Sequence, residues 1–174
     1  MKHNAPPSHL KLPLRLIDEA YDQAAWHGPN LRGSLRGVTA GAAAWRPGPG
    51  RPAIRTGRHN IWEIVVHAAY WKYVVRRRIR GEKRGSFALR GSNWFRRPLA
   101  LTEKAWRQDV ALLEQEHVRL RAAVAALSQA ELNRRAAKGK TSIATLVHGI
   151  AFHDVYHAGQ IRLLRRLLPT GKRR

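Results

Sequence analysis

Apolar residues recur at three- and four-residue steps along four stretches of the chain, the signature of helices that each bury one face. In the first, from about Leu14 to Trp26, the stripe is Leu14, Ile17, Ala20, Tyr21, Ala24 and Ala25, with Pro13 in the opening turn and Gly28-Pro29 past the end. The second starts at Asn60, an N-cap residue followed three positions later by Glu63 as in a capping box, and runs to Arg80 before Gly81. Its inner face reads Ile61, Ile64, Val65, Ala68, Trp71, Val75 and Ile79. The third takes Thr102 as N-cap and carries Trp106, Val110, Leu113, His117, Leu120 and Val124 inward before stopping at Ser128. Ser128 and Glu131 then mark a short capped turn, Arg134 to Lys140 reads as a basic loop, and the fourth helix runs from Thr141 or Ser142 to Leu168, ended by Pro169 and Gly171.

Between the first two helices, Gly28 to Arg58 reads as a long irregular connection with Pro47-Gly48-Pro49-Gly50 inside it and at most a helical turn around Thr39 to Ala44. A connection of that length is functional or covers something. No stretch alternates like a strand for long, so the predicted fold is all-α. It is a single domain over residues 1–174, a four-helix bundle with a long connection between helices one and two.

Composition narrows the chemistry. With 44% hydrophobic residues the 174-residue chain can build a core, and with no cysteine it has no disulfide, no thiolate ligand and no cysteine nucleophile. Any sulfur chemistry must use a thiol brought by a substrate. Met1 to Leu16 is broken by prolines where a secretory signal needs a continuous apolar run, and no later stretch reaches the length of a membrane span. The expectation is a soluble, cytoplasmic protein, compatible with a monomer or a homodimer. The net charge of +22 attracts polyanions, yet 25 of the 33 basic residues are Arg, a bias that GC-rich coding produces alone. Nucleic acid is therefore expected only as a non-specific electrostatic partner, with Arg76-Arg77-Arg78 and Lys172-Arg173-Arg174 as the local clusters.

The chemistry that stands out is His153-Asp154-Val155-Tyr156-His157, which sets two imidazoles four residues apart on one helix face. Two histidines leave a divalent ion mostly to water, so a third ligand must come from elsewhere. His67, on the predicted inner face of helix two, is the candidate; His117 and His148 read instead as hydrogen-bonded core residues. A zincin reading fails because Asp154 stands where that motif needs Glu, and no His or Glu follows His157. Gly139-Lys140-Thr141 is not a phosphate-binding loop either, since Arg134 stands where its first Gly belongs.

The segments Asn60-Ile61-Trp62-Glu63-Ile64-Val65-Val66-His67 and His153-Asp154-Val155-Tyr156-His157-Ala158-Gly159-Gln160-Ile161 resemble the DinB/YfiT-like superfamily of metal-dependent bundle proteins. The resemblance extends over nearly the whole chain, including Gly91-Ser92-Asn93-Trp94-Phe95. It implies up-down-down-up connectivity and a divalent metal on His67, His153 and His157; the activities assigned in the family include thiol-dependent S-transferases and a thiol-dependent isomerase, so the expected partners are a small-molecule substrate, which the resemblance does not identify, and a low-molecular-weight thiol. A metal-dependent hydrolase and a non-enzymatic, polyanion-binding protein are the alternatives.

A site of neutral imidazoles keeps the full charge of its ion, which makes it a strong Lewis acid and lowers the pKa of a bound water or thiol. Imidazole ligation suits zinc, nickel, copper and iron alike. Glu63, one turn before His67, and Gln160 are candidates to orient the rings, Glu63 having its capping role as the alternative. Trp71, Trp94 and Phe95 are candidates for an apolar wall above the ion, with core packing as the alternative. Asp154, one residue from His153, points about 100 degrees away from it on a helix and so makes a poor general base at the ion.

Overall fold

The computed structural model describes residues 6–48, 59–136 and 140–169. Parts of the Gly28–Arg58 connection and of the basic loop, and the cluster Lys172-Arg173-Arg174, lie outside the described residues. Where the sequence reading had four helices, the described residues hold seven: four long ones, α1 (Ser8–Tyr21), α4 (Ile61–Arg80), α5 (Glu103–Ala125) and α7 (Ile143–Leu167), and three short ones, α2 (Leu31–Ser34), α3 (Ala40–Ala44) and α6 (Gln129–Asn133). No strand occurs among the described residues.

The ends of the later helices follow their cap residues. Asn60, Thr102, Ser128 and Ser142 each accept a hydrogen bond from the backbone N–H three residues on. Gly81 closes α4 at φ 68°, a left-handed geometry that glycine adopts without steric cost. At Ser128 the full capping box forms. At Asn60 it does not, because the Glu63 carboxylate turns to Arg46 and His59. The first helix departs furthest from expectation. It starts at Ser8, carries Pro13 in its interior and ends at Tyr21, five residues before the expected Trp26, which is fully exposed. The pattern Ala24-Ala25 therefore continues a stripe that the backbone has already left.

Pairwise contacts give the topology. Trp62 meets Asp109 while Lys72 meets His117, so α4 and α5 run parallel. His67 meets His157 while the Arg134 side chain, just ahead of α7, reaches the Ile79 carbonyl, so α4 and α7 run antiparallel. Asp18 pairs with Arg121 and His9 with the Leu127 carbonyl, which sets α1 antiparallel to α5. The order is up-down-down-up for the four long helices. Two parallel neighbours in succession require a long return, and residues 81–102 supply it.

The connection between α1 and α4 is more structured than its sequence suggests. Thr39 caps the expected turn, now α3, but α2 was not foreseen. Leu31 and Ala43 are fully buried, the Trp106 indole donates to the Val38 carbonyl at 2.8 Å, and Arg165 donates to the Ser34 carbonyl at 2.8 Å. The described part of this segment is a wall of the core rather than a cover over it.

Candidate metal centre

His67 lies in the middle of α4, on a stretch from Ile61 to Ala69 that is buried on every side. His153 and His157 lie one turn apart on α7, and the antiparallel packing of the two helices brings all three rings together. The His153 Nε2 stands 3.1 Å from the Nε2 of His67 and 3.1 Å from that of His157. One nitrogen from each ring lies within 4.8 Å of the others.

The far side of each ring decides what these nitrogens carry. His67 Nδ1 lies 2.9 Å from the Asn93 backbone carbonyl, which can only accept, so Nδ1 bears the proton and Nε2 presents a lone pair. Gln160 donates through Nε2 to the Tyr156 hydroxyl at 3.0 Å, leaving its Oε1 to accept from His157 Nδ1 at 2.7 Å; His157 Nε2 is thereby bare as well. His153 Nδ1 is buried with no partner among the described residues. Burial holds the three rings neutral, lowering His67 to about 4, His153 to about 3 and His157 to about 4. A proton on His153 Nε2 can satisfy one of its two neighbours, never both. The arrangement leaves lone pairs crowded at 3.1 Å, which a cation at their common focus would resolve. The donor set, three imidazole nitrogens and no carboxylate, fits a borderline-soft divalent ion.

The rings are gripped by the α4–α5 return. The indole of Trp94 is sandwiched, stacked on His67 at 3.8 Å and on His59 at 3.5 Å. Trp71 sets its edge toward His67 and donates to the Asn93 side chain at 2.9 Å. Asn93 sits at φ 61°, a left-handed position that Asn tolerates, and this turn aims its carbonyl at His67. The return is anchored below: Asn60 donates to the Arg97 carbonyl at 3.0 Å, and Arg97 pairs with Asp109 at 2.7 Å.

Of the residues singled out from sequence, His67, His153 and His157 converge, Gln160 orients His157, and Trp71 and Trp94 wall the site. Two are placed elsewhere. Glu63 neither touches His67 nor caps α4; Arg46 binds it through two guanidinium nitrogens at 2.7 and 2.6 Å, and with His59 and the Arg97 amide holds it in the charged form, its pKa lowered despite burial. Phe95 packs with Tyr70 and Phe87 instead of over the triad. His117 is buried and stacked on Tyr21 at 3.6 Å, as a core residue should be, but His148 is only half-buried. Sequence reasoning missed Asn93, His59 and Lys72. For Lys72 the signal was present, since a lysine four residues after Ala68 and seven after Val65 stands on the buried face.

The sequence profile of the DinB superfamily matches residues 23–161, four-fifths of the chain, and thus includes all three histidines. The chain belongs to the DinB superfamily. No curated protein and no solved structure gives a match. The DinB match rests on sequence likeness and the buried triad on geometry, and all three histidines lie within the matched residues.

Directly beneath it the DinB core holds a second polar group. Lys72, fully buried, forms an ion pair with Asp154 and lies 3.4 Å from His117 Nδ1. Asp154 is turned away from the triad, as its helix position requires. Burial pushes the Lys72 ammonium down and the Asp154 carboxyl up, each opposed by its partner. Among the described residues no helix is long and apolar enough to cross a membrane.

Proposed function

We propose that this DinB protein is a divalent-metal-dependent enzyme of the thiol-dependent transferase type, acting on a small electrophilic substrate, its four long helices forming the DinB four-helix bundle. The observation that carries the reading is the convergence of three neutral imidazoles whose outward nitrogens are already engaged or enclosed. When bound, an ion at His67, His153 and His157 would supply Lewis acidity and lower the pKa of a thiol or water beside it. The chain's own part is to hold that ion without spending its charge. Asn93 and Gln160 fix two rings in the tautomer that leaves Nε2 bare toward the common focus, and Trp94 and Trp71 keep bulk water off the His67 face.

Two features favour a thiol over a water nucleophile. The chain has no cysteine of its own to compete for the ion. The two acids nearest the centre in sequence are both committed, Asp154 to Lys72 and Glu63 to Arg46, so neither serves as the general base that a hydrolase wants. The non-enzymatic polyanion reading loses part of its basis, because Arg76 is buried between Glu116 and Glu82 rather than offered to solvent. The test uses cobalt-substituted protein titrated with low-molecular-weight thiols. A sulfur-to-cobalt charge-transfer band that disappears in His153→Ala supports the reading. A silent spectrum across a panel of cellular thiols, with ester or amide hydrolysis lost in His153→Ala, would replace it with the hydrolase.

A further inference from the structure

A cleft of about 690 Å³ opens between α4 and the 84–93 part of the return, lined in part by Trp71 and Asn93, which also contact His67 of the triad. Four arginines line it, Arg77 and Arg78 from α4 and Arg84 and Arg90 from the return, and no Asp or Glu does. Among the described residues none of the four makes an ion pair. Glu82, the one acid within the return, is taken by Arg76 at 2.8 Å and Arg80 at 3.2 Å, and Arg77 reaches only its backbone carbonyl. Four guanidinium groups around one space repel each other unless an anion joins them.

Much of the remaining lining is aromatic or aliphatic, with Ser92 and Asn93 as its polar side chains besides the tyrosine hydroxyls. Tyr70, Phe87 and Leu89 give the cleft a face continuous with the core, the rings of Tyr70 and Phe87 meeting edge to face at 5.3 Å. The return is clipped in place from below. The Tyr73 hydroxyl accepts from the Gly85 and Ser86 amides at 3.2 and 3.3 Å, which fixes the chain beside Arg84. The cleft is thus a held feature with one charged edge and one aromatic face, of a size usual for small-molecule sites.

We propose that this cleft binds a small organic anion, a phosphate monoester or a carboxylic acid with an apolar or aromatic body. Guanidinium forks take the oxyanion in paired hydrogen bonds, and the body lies on Tyr70 and Phe87. Anion binding here does not need the metal. The further role, anchoring the substrate of the neighbouring centre through shared Trp71 and Asn93, rests on the metal-enzyme reading above.

The experiment is calorimetric titration of the full chain, kept metal-free with a chelator, with phenyl phosphate and with inorganic phosphate. The expected result is one phenyl phosphate per chain, bound about tenfold or more tighter than inorganic phosphate because the ring is buried. Arg84→Ala with Arg90→Ala should weaken phenyl phosphate about tenfold or more, whereas Lys11→Ala with Lys104→Ala, which removes the same charge from exposed positions elsewhere, should leave it unchanged. Phe87→Ala should erase the preference for the aryl ester and keep inorganic phosphate. His157→Ala should bind as the parent does, which separates failure of the cleft from failure of the metal centre. Equal weakening in the two double variants, no preference for the aryl ester, or loss of binding in His157→Ala would overturn the proposal.

Discussion

Two buried polar groups sit one helical turn apart in this core and are built on opposite principles. The Lys72–Asp154 pair, with His117 beside it, supplies its own countercharge from α4 and α7. The triad His67, His153 and His157 comes from the same two helices and turns three Nε2 atoms toward one another with at most one proton, that of His153, to share among them and no countercharge. The difference teaches which group balances its own charge. The pair does, although Asp154 Oδ1 has no hydrogen-bond partner among the described residues, while the triad aims its nitrogens at one focus and supplies no cation to meet them.

The largest expected effect breaks the balanced pair. Asp154→Ala leaves Lys72 fully buried without its anion and should cost about 3–5 kcal/mol, read as a fall in denaturation midpoint, whereas Lys72→Met with Asp154→Leu should be far milder. A comparable loss in both variants would mean that the charges are not what matters there.

Acid should separate the two groups next. The triad histidines have pKa values lowered by burial, so the unfolded chain takes up their protons near pH 6.5 while the folded one resists until about 4 for His67 and His157 and about 3 for His153. Their contribution is therefore full above pH 6.5 and lost as the pH falls toward 4, on the order of a few kcal/mol in the metal-free protein. Denaturant titrations across that window check it, and the slope should flatten in His153→Ala.

Smaller effects should tell the ring-orienting residue from its rejected rival. Gln160→Ala frees His157 Nδ1 and should weaken metal binding about 10–100-fold with little change in fold. Glu63→Gln loosens Arg46 and should lower stability by about 1–3 kcal/mol while leaving metal affinity within about threefold. The reverse pattern in competition titrations would restore Glu63 to the centre.

Most of the centre was legible because helical spacing alone carries it. The His153–His157 pair lies on one face by periodicity, and His67 stands on a stripe that must face inward. Capping chemistry likewise placed α4, α5 and α7 to within a residue or two. What sequence could not give comes from the return and from tertiary capture. Nothing local says that Asn93 adopts a left-handed turn to reach His67, or that Trp94 is sandwiched between His59 and His67. Glu63 satisfied the local pattern of a capping box, and a distant Arg46 outbid the nearby amide for its carboxylate. The α1 boundary failed for a related reason. Ala24 and Ala25 continue the helical period, but α1 ends at Tyr21, and the chain turns there toward Asn30, whose side chain donates to the Gln23 carbonyl.

The central claim is that the triad holds a cation, and elemental analysis tests it most directly. Protein purified without a nickel resin should carry close to one divalent ion per chain, and His157→Ala should lose it while keeping the helical spectrum of the parent. Equal metal content in the parent and in folded His157→Ala, or none in the parent after incubation with zinc, nickel or iron, would contradict the account.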